Sequence, residues 1–378
     1  MGTGERFMKI GPQNVDPVSE SSEAHGGRVH EVARLRHVPP HAILDASASI
    51  NPLGPPPSVL GALSDLPGLL RHYPDSTHEP VRQVLSTALG VPRGHIWCGN
   101  GATEVLDHIM YTLRPRRVFI LEPAFSEYGR VAARHGLPVE RVCMKPPFLY
   151  PGDHLDARLA DGDLLVFNNP HNPSGRAYPR SEWEPLFRRW TDRGVHILVD
   201  EAFMDFLPDA GRFTALPLAI SVDGVTVVRS ATKIFALPGL RFGAGVGSVS
   251  LVHAITALRD PWSVNQLAQA AIVAAYGDKA FLRETWHWAE RARTWAADTW
   301  GAHPRLHTYP PSANFMLVRW PTVPLASHAA HALWERRVLV RQLHGSRGLG
   351  AQWMRIALRT PEENARIWQI AAEVLGRP

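Results

Sequence analysis

One lysine lies in a setting that suits covalent chemistry. Lys233 belongs to the segment Ser-Ala-Thr-Lys-Ile-Phe-Ala-Leu-Pro-Gly-Leu-Arg, which follows an apolar run and extends from Ser230 to Arg241. In a largely apolar pocket a lysine loses its proton more easily and can react with an aldehyde. Ser230, Thr232 and Arg241 carry the donors that a nearby phosphate needs. The alternative is a surface lysine, which most lysines are.

A second segment suits phosphate binding. Gly101, Ala102 and Thr103 lie in Gly-Asn-Gly-Ala-Thr-Glu, a glycine turn that opens a predicted helix after the short segment 96–98. The backbone N–H groups and the dipole at such a helix start attract anions. Taken alone the motif is weak, because a plain tight turn before a helix has the same composition.

Two further polar residues follow apolar runs. Asn172 lies in Asn-Asn-Pro-His-Asn-Pro-Ser-Gly, and Asp200 ends a buried run 33 positions before Lys233. In isolation the first is also explained by an Asn-Pro turn, and the second by an acid at a strand end or at a helix N-cap. Their position between predicted strands is what favours a functional role.

The elements that must position these residues alternate along the chain. Short apolar runs bounded by turn or charged residues predict strands, which are placed at 118–121, 164–167, 196–199, 226–228 and 242–246. Helical stretches between them predict an α/β fold with a mainly parallel sheet between helices. In such sheets ligands bind beyond the carboxyl ends of the strands, so the polar residues there are expected to converge on one site.

The length of 378 residues predicts more than one domain. We expect a loose extension at 1–22, an N-terminal segment at 23–55 that packs with the small domain, a large domain at 56–262, and a linking helix with a smaller α+β domain at 263–378. The Ala- and Trp-rich run after Pro261 is interpreted as one linking helix that continues through Trp300.

Charge and cysteine content exclude several classes of protein. The net charge of +5 and the pI near 9.5 come from scattered Lys and Arg with no basic run, which disfavours nucleic-acid binding and suits a small anionic substrate. Only Cys98 and Cys143 occur, so no disulfide framework or cysteine metal site is predicted. No apolar stretch suggests a membrane span or signal peptide, and a cytoplasmic location is expected.

In their order along the chain, the four motifs resemble those of fold-type I enzymes that use pyridoxal 5'-phosphate, the class I and II aminotransferase superfamily. The resemblance covers roughly residues 25–364. It implies a large domain with a seven-stranded, mainly parallel sheet and a smaller α+β domain. It also implies that Ser230, Thr232, Arg241 and the Gly101 turn hold the cofactor phosphate.

The same resemblance implies roles for the other motif residues. Lys233 binds the cofactor covalently, Asp200 pairs with its ring nitrogen, and both are expected to be catalytic. Asn172 is expected to bond the phenolic oxygen of the cofactor, and Phe125 to stack on its ring. Tyr73 matches a tyrosine that reaches the cofactor phosphate of a neighbouring subunit, which implies a homodimer.

The N-terminal motifs are similar to one branch of the superfamily, the threonine-phosphate decarboxylases of cobalamin biosynthesis. They are a His-Gly-Gly sequence that begins at His25 and an Ile-Asn-Pro-Leu-Gly sequence that contains Asn51. Three residues depart from the pattern: Ala46 and Ser49 replace an expected phenylalanine and asparagine, and Phe203 stands where the superfamily often has tyrosine.

Near the C-terminus, Arg341 and Arg355 match the segments that supply anion-binding arginines in the superfamily. With His25 and Asn51 they are expected to bind the substrate, and an arginine pair suits a phosphate. The leading hypothesis is decarboxylation of L-threonine O-3-phosphate to (R)-1-amino-2-propanol O-2-phosphate, catalysed by a lyase. The alternatives are a histidinol-phosphate-type aminotransferase and a non-catalytic regulator that binds the cofactor.

Overall fold

The computed structural model describes residues 26–376. Its strands are β1 (Leu44–Ala46), β2 (Ile96–Gly99), β3 (Arg117–Glu122), β4 (Val139–Cys143), β5 (Asp163–Asn168), β6 (His196–Asp200), β7 (Val225–Arg229), β8 (Gly243–Val246), β9 (His307–Thr308), β10 (Phe315–Arg319), β11 (Val338–Gln342) and β12 (Trp353–Ala357).

The helices between them are α1 (Val29–Leu35), α2 (Pro57–Ala62), α3 (Leu66–Leu70), α4 (Glu79–Leu89), α5 (Ala102–Leu113), α6 (Glu127–Arg134), α7 (Gly152–Asp156), α8 (Arg180–Thr191), α9 (Leu216–Ser221), α10 (Ala231–Ile234), α11 (Val249–Leu258), α12 (Gln266–Gly277), α13 (Lys279–Ala296), α14 (Val323–Glu335) and α15 (Pro361–Leu375).

A seven-stranded sheet forms the centre of the fold, in the order β2-β8-β7-β6-β5-β3-β4. The strand β8 runs antiparallel to both its neighbours, and the other adjacent pairs are parallel. Every residue of β5, β7 and β8 is buried, as expected of strands covered by helices on both faces. The prediction of a mainly parallel α/β sheet is confirmed, and each of the five predicted strands is present.

A second sheet has five strands in the order β1-β11-β12-β10-β9. Its edge strand β1 comes from the N-terminal part of the chain and pairs in parallel with β11, Leu44 opposite Val338. The remaining pairs are antiparallel. Residues 44–46 therefore belong to the small sheet. The division of the chain into an N-terminal segment at 23–55, a large domain at 56–262 and a small domain at 263–378 stays a prediction.

The prediction of one helix from Pro261 to Trp300 is wrong, because the run is divided into α12 and α13. Gly277 ends α12, and the side chain of Asp278 accepts a hydrogen bond from the backbone N–H of Phe281 at 3.0 Å, which caps the start of α13. Glycine is a weak helix former and aspartate a strong N-cap, so the two together favour a new helix start. The helix α12 packs against α2 and α4 beside the large sheet.

Candidate active site

A cavity of about 750 Å³ lies at the carboxyl ends of the parallel strands, between the two sheets. It brings together eleven of the residues predicted from the sequence: Ala102, Thr103, Phe125, Asn172, Asp200, Ser230, Thr232, Lys233, Arg241, Arg341 and Arg355. The first nine come from the large-sheet part of the chain, and the two last arginines come from β11 and β12. The site therefore depends on the relative placement of both sheets.

Lys233 lies on the short helix α10, which follows β7 directly. Its Nζ donates to Thr232 Oγ1 at 3.0 Å, and this hydroxyl is 2.9 Å from Ser230 Oγ. Burial lowers the pKa of Lys233 to about 8; the charge of Asp200 opposes this shift, and the charge of Arg241 adds to it. A sizeable fraction of the amine is therefore neutral near pH 8, as a nucleophilic lysine requires.

Asp200 ends β6 with a carboxylate that is 5% exposed. Its Oδ2 accepts a hydrogen bond of 2.5 Å from the Tyr128 hydroxyl, and its Oδ1 accepts one of 2.9 Å from the backbone N–H of Ala202. Burial raises the pKa of Asp200, and these two hydrogen bonds oppose that shift by favouring the ionised form. The carboxylate is thus held in one orientation and suits a cationic partner.

A cradle for a phosphate forms where α5 begins. Gly101 enters the helix with φ of +90°, and a Cβ added there would lie 2.4 Å from Arg241 Nη2. A Cβ on Gly243, in the adjacent strand β8, would lie 2.5 Å from the backbone nitrogen of Ala102. Both positions therefore require glycine: Gly101 leaves room for the Arg241 guanidinium, and Gly243 leaves room for the backbone at the start of the helix. Ser230 lines the same cavity.

Asn172 and the two arginines form the side of the cavity nearest the small sheet. Arg355 donates through Nη1 to Asn172 Oδ1 at 2.7 Å and through Nη2 to the Ser47 carbonyl at 2.8 Å. Arg341 lies directly opposite Arg355 on the paired strands β11 and β12. Burial lowers the pKa of Arg341 to about 10 and that of Arg355 to about 9, and the charge of Arg341 adds to the second shift.

Among the described residues, the predicted site residues Gly101, Asn51 and Tyr73 do not line the cavity, although Gly101 lies directly before its lining residue Ala102. Asn51 is 2% exposed, and its amide donates at 2.8 Å to both the Ile234 carbonyl and Thr285 Oγ1, so it anchors the segment next to Lys233. Tyr73 is 80% exposed and packs against the Trp262 ring with centroids 4.9 Å apart. His25 lies outside the described residues.

Two residues at the site were not singled out from the sequence. Tyr128 orients Asp200, as described above. Asn168 accepts from the backbone N–H of Asn172 at 2.6 Å and donates to the Asp200 carbonyl at 2.8 Å, so it joins the two loops. The available signals were weak: Asn168 ends a strand inside the Asn-Pro motif, and Tyr128 follows Phe125 by three residues, about one helical turn.

A buried ion pair connects the strands beneath the site. Arg229, the last residue of β7, lies 2.8 Å from Glu201 and 2.6 Å from Asp205. Glu201 is fully buried and also accepts from the backbone N–H of Ala215 at 2.6 Å. Because Arg229 precedes Ser230 and Glu201 follows Asp200, this network fixes the ends of the strands that carry the site.

The fold and the site together define a class of protein. The aminotransferase class I and II family model matches residues 43–370, and the chain belongs to this family. Its enzymes use pyridoxal 5'-phosphate, and three features fit that cofactor: the glycine cradle, the Lys233 amine with its lowered pKa, and the buried Asp200. Within the described residues no helix is long and apolar enough to cross a membrane.

Relatives of two kinds match almost the whole chain. Threonine-phosphate decarboxylase of Salmonella typhimurium is 34% identical over 94% of this chain and 97% of its own length. Histidinol-phosphate aminotransferase 2 of Ralstonia nicotianae is 31% identical over 95% of both chains. A structure of histidinol-phosphate aminotransferase from Sinorhizobium meliloti in complex with pyridoxal-5'-phosphate has a TM-score of 0.80 at 20% identity, and covers 97% of this chain and 98% of its own.

Proposed function

We propose that this enzyme decarboxylates L-threonine O-3-phosphate to (R)-1-amino-2-propanol O-2-phosphate, a step of cobalamin biosynthesis. The observation that carries the proposal is the pair Arg341 and Arg355. Two guanidinium groups face one cavity from opposite positions of paired strands, and within residues 26–376 Arg341 has no carboxylate or other hydrogen-bond acceptor as partner. A phosphate dianion would neutralise both and accept several hydrogen bonds.

The cofactor would be held by the residues that line the deeper part of the cavity. The start of α5 and the side chains of Ser230, Thr232 and Arg241 would bind its phosphate, and Asp200 its ring nitrogen. Asn172 Oδ1 is fixed by Arg355, which leaves its Nδ2 donor for the phenolic oxygen. When bound, the cofactor supplies an electron sink for the pair released at the substrate α-carbon.

The protein decides which bond to the α-carbon breaks by the way it holds the substrate. With the phosphate bound by Arg341 and Arg355, these two guanidinium groups are not available to the substrate carboxylate, which leaves as carbon dioxide. Lys233 Nζ, with its pKa lowered to about 8, then delivers a proton to the α-carbon. Phe203 lines the cavity with an apolar ring. Because it has no hydroxyl, its side chain donates no hydrogen bond to the cofactor.

A histidinol-phosphate-type aminotransferase is the second candidate function. It is supported by the relatives at 31% identity and by the same arginine pair, because histidinol phosphate is also a phosphate monoester. Its reaction would break the C–H bond and would need a keto acid as the second substrate. The N-terminal motifs and the higher identity to the decarboxylase favour the first candidate.

We also propose a homodimer, formed through the face that carries Tyr73. Its ring and the half-exposed ring of Trp262 are in contact, and Leu60 and Leu70 on the neighbouring helices α2 and α3 are more than 60% exposed. An exposed apolar surface of this kind is typical of a protein interface. Sedimentation of the cofactor-loaded enzyme would test it, with Tyr73→Ala and Trp262→Ala expected to increase the fraction of monomer.

The test of the reaction uses cofactor-loaded enzyme with L-threonine O-3-phosphate, and measures carbon dioxide and aminopropanol phosphate. A parallel sample contains histidinol phosphate and 2-oxoglutarate, and glutamate is measured. Carbon dioxide release without a keto acid supports the decarboxylase. Glutamate formation in the parallel sample alone would replace it with the aminotransferase.

A further inference from the structure

A second cavity, of about 350 Å³, lies at the edge of the large sheet, beside its outermost strand β2. The segment before α4, the helix α4, the strand β2 and the end of α11 enclose it. We call it the edge cavity, and its lining residues are Ser76, Thr77, His78, Arg82, Ile96, Trp97, Cys98, Thr256, Arg259 and Pro261. None of these residues lines the active-site cavity, so the edge cavity is a separate place on the molecule.

Three side chains of the edge cavity carry a buried nitrogen without a hydrogen-bond partner in residues 26–376. These nitrogens are His78 Nε2, Arg82 Nε and Trp97 Nε1. His78 is 1% exposed and Trp97 is 2% exposed. The arginine and indole nitrogens can only donate, and a buried donor without an acceptor is unfavourable. Three such nitrogens around one cavity therefore point to a ligand that is rich in acceptors.

The fold holds the indole ring of Trp97 in one place. Trp97 on β2 pairs with Gly245 on the neighbouring strand β8. A Cβ added to Gly245 would overlap the indole ring, so this position requires glycine. The ring therefore lies against the backbone of β8, and its N–H is presented in a fixed position beside the edge cavity.

The charged side chains of the edge cavity are positive. Arg82 and Arg259 both line it, and none of its described lining residues is acidic. Arg259 donates to backbone carbonyls, such as that of Ser76 at 2.5 Å, which leaves its charge without a paired carboxylate there. Arg82 lies 3.6 Å from Glu79, whose carboxylate also pairs with Arg93. The cavity thus has an excess of positive charge beside its unpartnered donors.

His78 is neutral in this setting and can serve as a further donor. Burial lowers the pKa of His78 to about 4; the charges of Arg259 and Arg82 add to this shift, and that of Asp75 opposes it. A neutral imidazole carries one N–H, which can reside on Nε2. The side chain therefore suits an acceptor oxygen at neutral pH without adding a third positive charge.

We propose that the edge cavity binds a phosphate group, with Arg82 and Arg259 balancing its charge and Trp97 Nε1 donating a hydrogen bond to it. A phosphate carries up to two negative charges and more acceptor oxygens than a carboxylate, which matches two guanidinium groups and additional N–H donors. The volume lies at the lower end of the range of about 300–1,000 Å³ for ligand sites, so the phosphate is free or belongs to a small molecule. The inference does not depend on which reaction the enzyme catalyses.

The test measures phosphate binding where the active site contributes little. The protein is the full chain loaded with its cofactor, and it carries Arg341→Met to weaken phosphate binding in the active-site cavity. Equilibrium dialysis with radiolabelled inorganic phosphate and, separately, glycerol 3-phosphate is performed at constant ionic strength, with chloride as the balancing anion. We expect one bound ligand per chain. Tighter binding of glycerol 3-phosphate would identify a phosphate ester as the natural ligand, and tighter binding of inorganic phosphate the free ion.

Two tryptophan variants of this parent protein decide whether the edge cavity is the site. Trp97→Phe loses a hydrogen bond to a charged group and should bind phosphate about 10- to 100-fold more weakly. Trp300→Phe is the matched control, because Trp300 is also buried with an unpartnered Nε1 in the described chain but does not line the edge cavity. That variant should bind phosphate as the parent does. Arg259→Met should also weaken binding at least about 10-fold, and if it does not fold, the tryptophan pair still gives the answer.

Thermal unfolding and crystallography provide independent readouts. Phosphate should raise the melting temperature of the parent and of Trp300→Phe, but raise that of Trp97→Phe much less. Tungstate soaked into crystals of the parent should give an anomalous peak between Trp97 and Arg259. The proposal is overturned if the parent binds no phosphate, if Trp97→Phe and Trp300→Phe bind it equally well or equally poorly, or if the edge cavity holds only water or a side chain of a second copy of the chain.

Discussion

Replacement of Tyr128 by phenylalanine should weaken cofactor binding without damage to the fold. The hydroxyl donates the 2.5 Å hydrogen bond that favours the ionised form of Asp200, a carboxylate otherwise disfavoured by burial. A hydrogen bond to a charged group contributes about 1.5–3 kcal/mol. Its loss raises the pKa of Asp200 further, and the dissociation constant of pyridoxal 5'-phosphate should rise about 10- to 150-fold.

The assay is a titration of cofactor-free protein with pyridoxal 5'-phosphate, followed by visible absorbance. Tyr150→Phe is the control, because Tyr150 is a partly buried tyrosine whose hydroxyl oxygen is buried but has no partner in the described chain. That variant should bind the cofactor as the wild type does. Unchanged affinity in Tyr128→Phe, or equal loss in both variants, would refute the reasoning that Asp200 must be ionised to hold the cofactor.

Three further predictions concern the lysine and the network beneath it. Lys233→Ala should lack the visible absorbance of the lysine-bound cofactor, and its turnover should fall at least about 100-fold. An unchanged spectrum would contradict the assignment of Lys233 as the residue that binds the cofactor. Because burial lowers the pKa of Lys233 to about 8, the rate of cofactor incorporation, measured by stopped-flow absorbance, should rise with pH as the amine deprotonates and level off above about pH 8. A rate that still rises through pH 10 would show an unperturbed amine. Arg229→Met leaves Glu201 buried without its cation and should lower the free energy of unfolding, measured with urea, by about 3–5 kcal/mol. The control is Arg212→Met at an exposed position, which should change that free energy by less than about 0.5 kcal/mol.

The parts of the site that the sequence predicted are those set by local patterns. Lys233 and Asn172 lie just after a strand and Asp200 ends one, and each strand can be recognised from its apolar run. Parallel strands bring their carboxyl ends to one edge of the sheet. The helix start at Ala102 was likewise visible as a glycine turn. These features depend on residues within a few positions of each other.

The parts that were not predicted depend on tertiary contacts. No spacing rule relates Tyr128 to Asp200, 72 residues away, because their contact requires the order of strands in the sheet. Asn51 was assigned to the substrate on its motif, but the fold turns its amide toward Thr285 on α13. The exposure of Tyr73 could not be known either, since the expected partner for it is a second copy of the chain.

The parallel pairing of β1 with β11 has a consequence for biosynthesis. Leu44 lies opposite Val338, so 294 residues separate the two partners along the chain. At about 5–20 residues per second, the ribosome needs roughly 15–60 s to make β11 after β1. During that interval the newly made β1 has no strand to pair with, so the small sheet can close only after every strand of the large sheet has been synthesised.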